Sequence, residues 1–222
     1  MLVHGAASLD HPSLHGAILR RDEGQPGWAC IDLGPHAGAR ELREAQHRLA
    51  RALDLQERRL HGRGLVPTAL TFFDQGETTP FHVDGGPDES VLLLGYEPSA
   101  RTSRLRVVDL PHAAAEALSI AAYLASRPNG FPADDPRLST LAIDIPRDPA
   151  HFVLVALCNS VMEPGRGWRG LLHQATVGGD PSAPRGVHTV HLRAVAEAPW
   201  SEDAWRPYLD EVGAWPAATA PE

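Results

Sequence analysis

The chain contains no lysine, and all twenty of its basic side chains are arginine. That absence removes whole classes of chemistry. No Schiff-base lysine exists, so pyridoxal-phosphate and lysine-aldolase mechanisms are excluded. A Walker A loop and a protein-kinase ATP site each need a lysine, so both fall away. Cysteine is scarce too. Cys30 and Cys158 are too few for a disulfide framework or a cysteine metal cage. They read as buried thiols in a reducing compartment. No apolar run approaches the ~20 residues of a membrane span. The opening MLVHGAASLDHPS has no basic region followed by an apolar stretch, so no signal peptide is expected. Net charge is −8, which argues against a nucleic-acid or anionic-membrane partner. The expectation is a cytoplasmic protein with a small-molecule partner, no nucleic acid and no membrane.

The 222 residues suit one domain, with hydrophobic content of 43% to build its core. Residues 1–64 read as N-terminal strands and a helix. Leu14 to Leu19 and Trp28 to Leu33 are expected to pair as strands around the turn DEGQPG. Residues 39–60 read as a helix, because Leu42, Leu49, Leu53 and Leu60 recur at helical spacing among charged residues. Over 65–195 the pattern changes to short runs rich in Val, Leu, Ile and Phe, bounded by Gly, Pro, Asp or Ser. Eight strands are expected, at 65–73, 80–84, 90–96, 104–110, 140–145, 151–158, 169–174 and 186–195. One helix, 112–126, interrupts them. Residues 196–222, with Trp200, Trp205 and Trp215, read as a tail packing back on this core. The fold expectation is mostly β: a double-stranded β-helix (jelly roll, cupin-like) with an N-terminal helix and one inserted helix.

The chemistry concentrates in Thr78-Thr79-Pro80-Phe81-His82-Val83-Asp84-Gly85-Gly86-Pro87. Residues two apart on a strand share a face, so His82 and Asp84 look the same way. An imidazole and a carboxylate on one face are two-thirds of a 2-His-1-carboxylate site, which holds non-haem Fe(II) with open positions. The third ligand has to come from elsewhere. His173, in GWRGLLHQATVGG, is the best candidate, because the second and seventh strands of a jelly roll are neighbours. His151, His188 and His191 are its rivals. Arg185, twelve positions after His173, opens the last strand. Its guanidinium could grip a carboxylate bidentately. Arg193 is the fallback.

With His82, Asp84, His173 and Arg185 in this order and on these strands, residues 65–195 resemble the Fe(II)/2-oxoglutarate-dependent dioxygenases. The text FHVDGGPDESVLLLGYEPS, then CNS, then GLLHQA, looks like bacterial small-molecule members of that superfamily. The resemblance implies catalytic metal ligands His82, Asp84 and His173. It implies a 2-oxoglutarate site at Arg185, helped by the Thr189 hydroxyl, with Fe(II), 2-oxoglutarate and O2 as cofactor and cosubstrates. Succinate and carbon dioxide are the implied co-products. Halogenating relatives have a small residue where this chain has Asp84, so hydroxylation, desaturation, cyclisation or epimerisation is the implied outcome.

Two other readings stand beside this one. The same triad could serve a cupin-type dioxygenase or isomerase, or a zinc hydrolase, without 2-oxoglutarate. A jelly-roll binding module would need no metal at all. Asn159, Ser160, Tyr96 and Glu97 either flank the site or close strands. Arg101, Arg104 and Arg106 either recognise an anion or shield a strand edge.

Overall fold

The structure is a computed structural model that describes residues 1–5, 9–85 and 88–210. The longest helix forms where the leucine spacing requires it. Strand β1 (Leu2–His4), helix α1 (Ser13–Ile18) and strand β2 (Trp28–Gly34) precede helix α2 (Ala39–His61). Leu42, Leu49 and Leu53 form the buried stripe of α2, whereas Leu60 is exposed. Gly62 ends the helix at φ 68°, a left-handed cap that glycine adopts without strain, and its N–H returns to the Arg58 carbonyl at 3.0 Å. Strand β3 (Arg63–Asp74) follows, then β4 (Ser90–Tyr96) and β5 (Arg101–Asp109). Three short helices come next: α3 (Leu110–Ala113), α4 (Ile120–Ala125) and α5 (Pro136–Leu141). The chain then forms β6 (Ile143–Ile145), β7 (Phe152–Cys158), β8 (Leu171–Gly179), β9 (Gly186–Ala196) and α6 (Arg206–Asp210).

The result is a mixed α/β fold with more strand than helix. A six-stranded sheet runs β1-β2-β7-β4-β9-β3, and a three-stranded sheet runs β6-β5-β8. Every pair is antiparallel except β1 with β2. Neither sheet closes on itself. The strands' period-two pattern separates two cores. Cys30, Leu92, Leu94, Val155 and Val187 of the large sheet meet Leu105, Val107, Ile145 and Leu171 of the small one. On the other face of the large sheet, Ile31, Leu93, Leu154, Val190 and Leu192 pack against the stripe of α2.

Several sequence expectations change. Of residues 14–19, 14–18 lie in helix α1 rather than a strand and Leu19 caps it, because Leu14, Ala17 and Ile18 fall on one buried helical face. Strand β2 pairs with β1 and β7 instead. The single helix expected at 112–126 is broken. Leu118 is fully exposed, and the Ser119 hydroxyl caps a fresh helix by accepting the Ala122 N–H at 3.0 Å. Of the expected strand 140–145, residues 140 and 141 belong to α5, which Asp135 caps and Pro136 begins. The strand at 169–174 starts later and runs on to Gly179, while that at 104–110 starts at Arg101 and ends at Asp109. In the tail, Trp205 and Tyr208 are buried in the α2-side core. Trp215 lies outside the described residues. Among the described residues, no helix is long and apolar enough to cross a membrane.

Candidate metal centre

The segment from Thr78 to His82 lies along the free edge of β8. The Thr79 N–H reaches the Ala175 carbonyl at 2.9 Å, and the Thr78 and Thr79 hydroxyls accept the Val177 and Ala175 N–H groups, each at 3.0 Å. His82 and His173 exchange both main-chain hydrogen bonds, at 3.0 and 2.8 Å. Only Phe81 and His82 of the expected strand 80–84 have bridge pairing, Phe81 with Phe131 and His82 with His173. Direct opposition puts the two imidazoles on one face, with ring centroids 4.2 Å apart. Asp84 returns to the same side. Its Oδ1 lies 3.1 Å from His82 Nε2 and 3.7 Å from His173 Nε2. One ligand atom from each of the three residues falls within 4.8 Å of the others, so His82, Asp84 and His173 could hold a metal ion.

The protonation pattern suits a cation. His82 Nδ1–H donates to the Pro80 carbonyl at 2.8 Å. A neutral ring then presents the Nε2 lone pair to the Asp84 carboxylate, and two acceptors face each other unless a proton or a metal lies between them. Burial and the neighbouring His82 push His173 down to about 4, against the pull of Asp84, so it is neutral at pH 7. Burial would raise the Asp84 carboxyl. The surrounding His173, His82 and His191 overcome this and hold it well below the ordinary carboxylate range. Burial also lowers His82, but the hydrogen bond and charge of Asp84 outweigh it and raise that imidazole. Two neutral-capable imidazoles and an ionised carboxylate are the donor set of a non-haem Fe(II) site, and also of zinc.

Asn159, which follows β7, holds the carboxylate's backbone. Its Oδ1 accepts the Asp84 N–H at 3.1 Å, and its Nδ2 donates to the Asp84 carbonyl at 3.1 Å. The same Nδ2 reaches Ser90 Oγ at 3.1 Å and His191 Nε2 at 3.2 Å. From sequence alone, Asn159 reads equally well as a turn residue after the strand. Its signal was the CNS tripeptide, but nothing local in that tripeptide points to Asp84. A cavity of about 210 Å³ opens beside the triad, lined by Phe81, His82, Val83, Asp84, Leu124, Arg127 and Phe131 among others.

The other candidates separate clearly. His151 pairs with Asp32 at 2.9 Å, away from the triad. His188 faces α2. It accepts from Arg43 Nε at 3.1 Å and bonds Glu97 at 2.7 Å. His191 lies in the buried layer behind Asp84 and is not one of the converging ligand atoms. Arg104 forks onto Asp144, and Arg106 binds Gln174 Oε1 and the Ala133 carbonyl. Both therefore stitch the small sheet. Arg101 lies 3.7 Å from Asp74. Arg185 is 2% exposed, with hydrogen bonds to Gln75 Oε1 and Ser103 Oγ, and its guanidinium lies 4.8 Å from the Tyr96 ring centre. The buried Thr189 Oγ1 has no hydrogen-bond partner. Neither Arg185 nor Thr189 belongs to the converging metal set. No family model matches the chain, and no curated protein matches it.

Proposed function

We propose that this protein is a non-haem Fe(II)- and 2-oxoglutarate-dependent oxygenase that oxidises a small molecule. The observation that carries the reading is the convergence of His82, Asp84 and His173. The strand order supports it. From β3 onward, with the segment at 78–82 beside β8 as the second strand, the strands alternate between the sheets except that β5 and β6 are neighbours in the small one, the order of a jelly roll. Arg185 and Thr189 fit a carboxylate-bearing cosubstrate. One is a buried guanidinium whose side-chain partners are neutral, and the other is a buried hydroxyl without a partner.

Iron and 2-oxoglutarate, when bound, supply the oxidising chemistry, consuming O2 and releasing succinate and carbon dioxide. The chain's own residues set the conditions. His82, Asp84 and His173 would hold the metal from one side and leave positions open on the other. Pro80 fixes the His82 tautomer, and Asn159 fixes the Asp84 backbone. Arg185 and Thr189 would orient the cosubstrate's far carboxylate between the sheets. The cavity beside the triad, with Phe81, Val83, Leu124 and Phe131 in its wall, would take a small, partly apolar substrate and exclude water from it.

The test is succinate formation from 2-oxoglutarate with Fe(II) and O2, together with a visible charge-transfer band in anaerobic protein given Fe(II) and 2-oxoglutarate. His82→Ala and Asp84→Ala should abolish both. Metal binding without band or succinate would favour the cupin-type or zinc-hydrolase reading. Absence of metal binding would favour a binding module.

A further inference from the structure

A second cluster lies between the sheets, away from the triad. Ser103 on β5 is opposite Val177, four positions along β8 from His173, or roughly 13 Å by strand rise. Two guanidiniums converge on its hydroxyl. Arg185 reaches Ser103 Oγ, and Arg147, from the loop after β6, reaches both Ser103 Oγ and the Ser103 carbonyl. Both also lie against Tyr96, with Cζ 4.2 Å (Arg147) and 4.8 Å (Arg185) from the ring centre.

Neither guanidinium has a carboxylate within 4.0 Å among the described residues. Asp74, which acts on Arg185, spends one oxygen on the Arg185 main-chain N–H at 2.8 Å and pairs with Arg101. Arg147 Nε is buried without a hydrogen-bond partner, as is Thr189 Oγ1 two strand positions beyond Val187 on the inter-sheet face. Two like charges sharing one neutral hydroxyl and one ring repel each other. Burial strengthens that repulsion, and an anion relieves it.

We propose that Arg147 is a second anion-binding residue, acting with Arg185 to hold the carboxylate of a small dicarboxylate between the sheets. The identification of that ligand as 2-oxoglutarate rests on the oxygenase reading. The cationic pair itself does not depend on the metal. The four-residue pattern of His82, Asp84, His173 and Arg185 contains one basic anchor, and Arg147 lies outside it.

The experiment measures binding of glutarate, which lacks the metal-chelating keto acid, and of 2-oxoglutarate. Calorimetry and ligand-induced shifts in Tm are read on metal-free protein and again with Mn(II). Metal-free wild type is expected to bind glutarate. Arg147→Gln should weaken it at least about tenfold, and Arg147→Lys should recover part of the loss. Two results would overturn the proposal: wild type that takes no glutarate without metal, or folded Arg147→Gln that binds both ligands like wild type. If 2-oxoglutarate binds and succinate forms while Arg147→Gln changes nothing, Arg147 alone is misassigned. If wild type binds neither ligand even with Mn(II), the oxygenase reading fails as well.

Discussion

At the scale of single residues, the centre depends on how backbone and protons are held. Asn159 grips both main-chain polar groups of Asp84, so truncating it frees the carboxylate without touching a ligand. Asn159→Ala should lower affinity for Mn(II) or Co(II) about 10–100-fold, read by titration. His173 carries a pH signature. Its folded value, about 4, lies below the unfolded 6.5. Between those values the unfolded chain binds a proton that the folded chain refuses, so metal-free stability falls as pH drops through that window. His82 is shifted upward and acts oppositely, since its stabilisation is present below its unfolded value and lost as pH rises through the folded one. Asp84, shifted downward, loses its contribution only at lower pH. Urea unfolding at several pH values should therefore show a shallower loss between pH 6.5 and 4 in His173→Gln than in wild type. The candidate triad was legible in the sequence, because His-x-Asp followed by a distant His is a local pattern plus one long-range pairing. Asn159 and Arg147 were not legible as partners. Their contacts with Asp84 and Ser103 span 75 and 44 positions, and no local period encodes them.

At the scale of elements, the triad depends on the meeting of 78–82, the loop after β7, and β8. Gly170 stands just before β8, where a Cβ would overlap the Ser160 carbonyl oxygen. This close approach brings Asn159 and the start of β8 together. Its own carbonyl accepts from Arg20 and from the Leu110 N–H. Gly170→Ala should destabilise the protein by about 1–3 kcal/mol and weaken metal binding in the variant that still folds, checked by denaturation and Mn(II) titration. Long elements such as α2, β4, β7 and β9 were legible because their apolar period runs for two or more turns or pleats. The pieces between β5 and β6 were not. There Ala-rich sequence permits helix everywhere, and the Ser119 and Asp135 caps decide where it begins. Residues 14–19 were not legible because so short a segment, with Leu14, Ala17, Ile18 and Leu19 apolar, fits either period until α2 covers it.

At the scale of the whole molecule, α2 is joined to the rest by polar groups as well as by its leucines. Glu57 is fully buried, with His15 Nε2 at 3.0 Å and Arg63, which continues to Glu89. Burial alone would raise its carboxyl, but His15 and Arg63 hold it below the ordinary range. Glu57→Ala leaves buried His15 without its carboxylate and removes one of Arg63's two acidic partners, and should cost about 1–3 kcal/mol in chemical denaturation, with Mn(II) affinity per folded molecule unchanged. By itself the sequence determined the chemistry that was absent, the helix 39–60, most strands, and which residues form the candidate metal triad. These follow from composition and from local periods of 3.6 and 2. Tertiary structure alone decided three things. It divided the strands into a six-stranded and a three-stranded sheet. It placed Asn159 against Asp84, and it brought Arg147 and Arg185 to one hydroxyl. The physical reason is common to all three. Pairing partners far apart in the chain are selected by burial and by the need to satisfy buried polar groups, and neither condition exists until the sheets face each other.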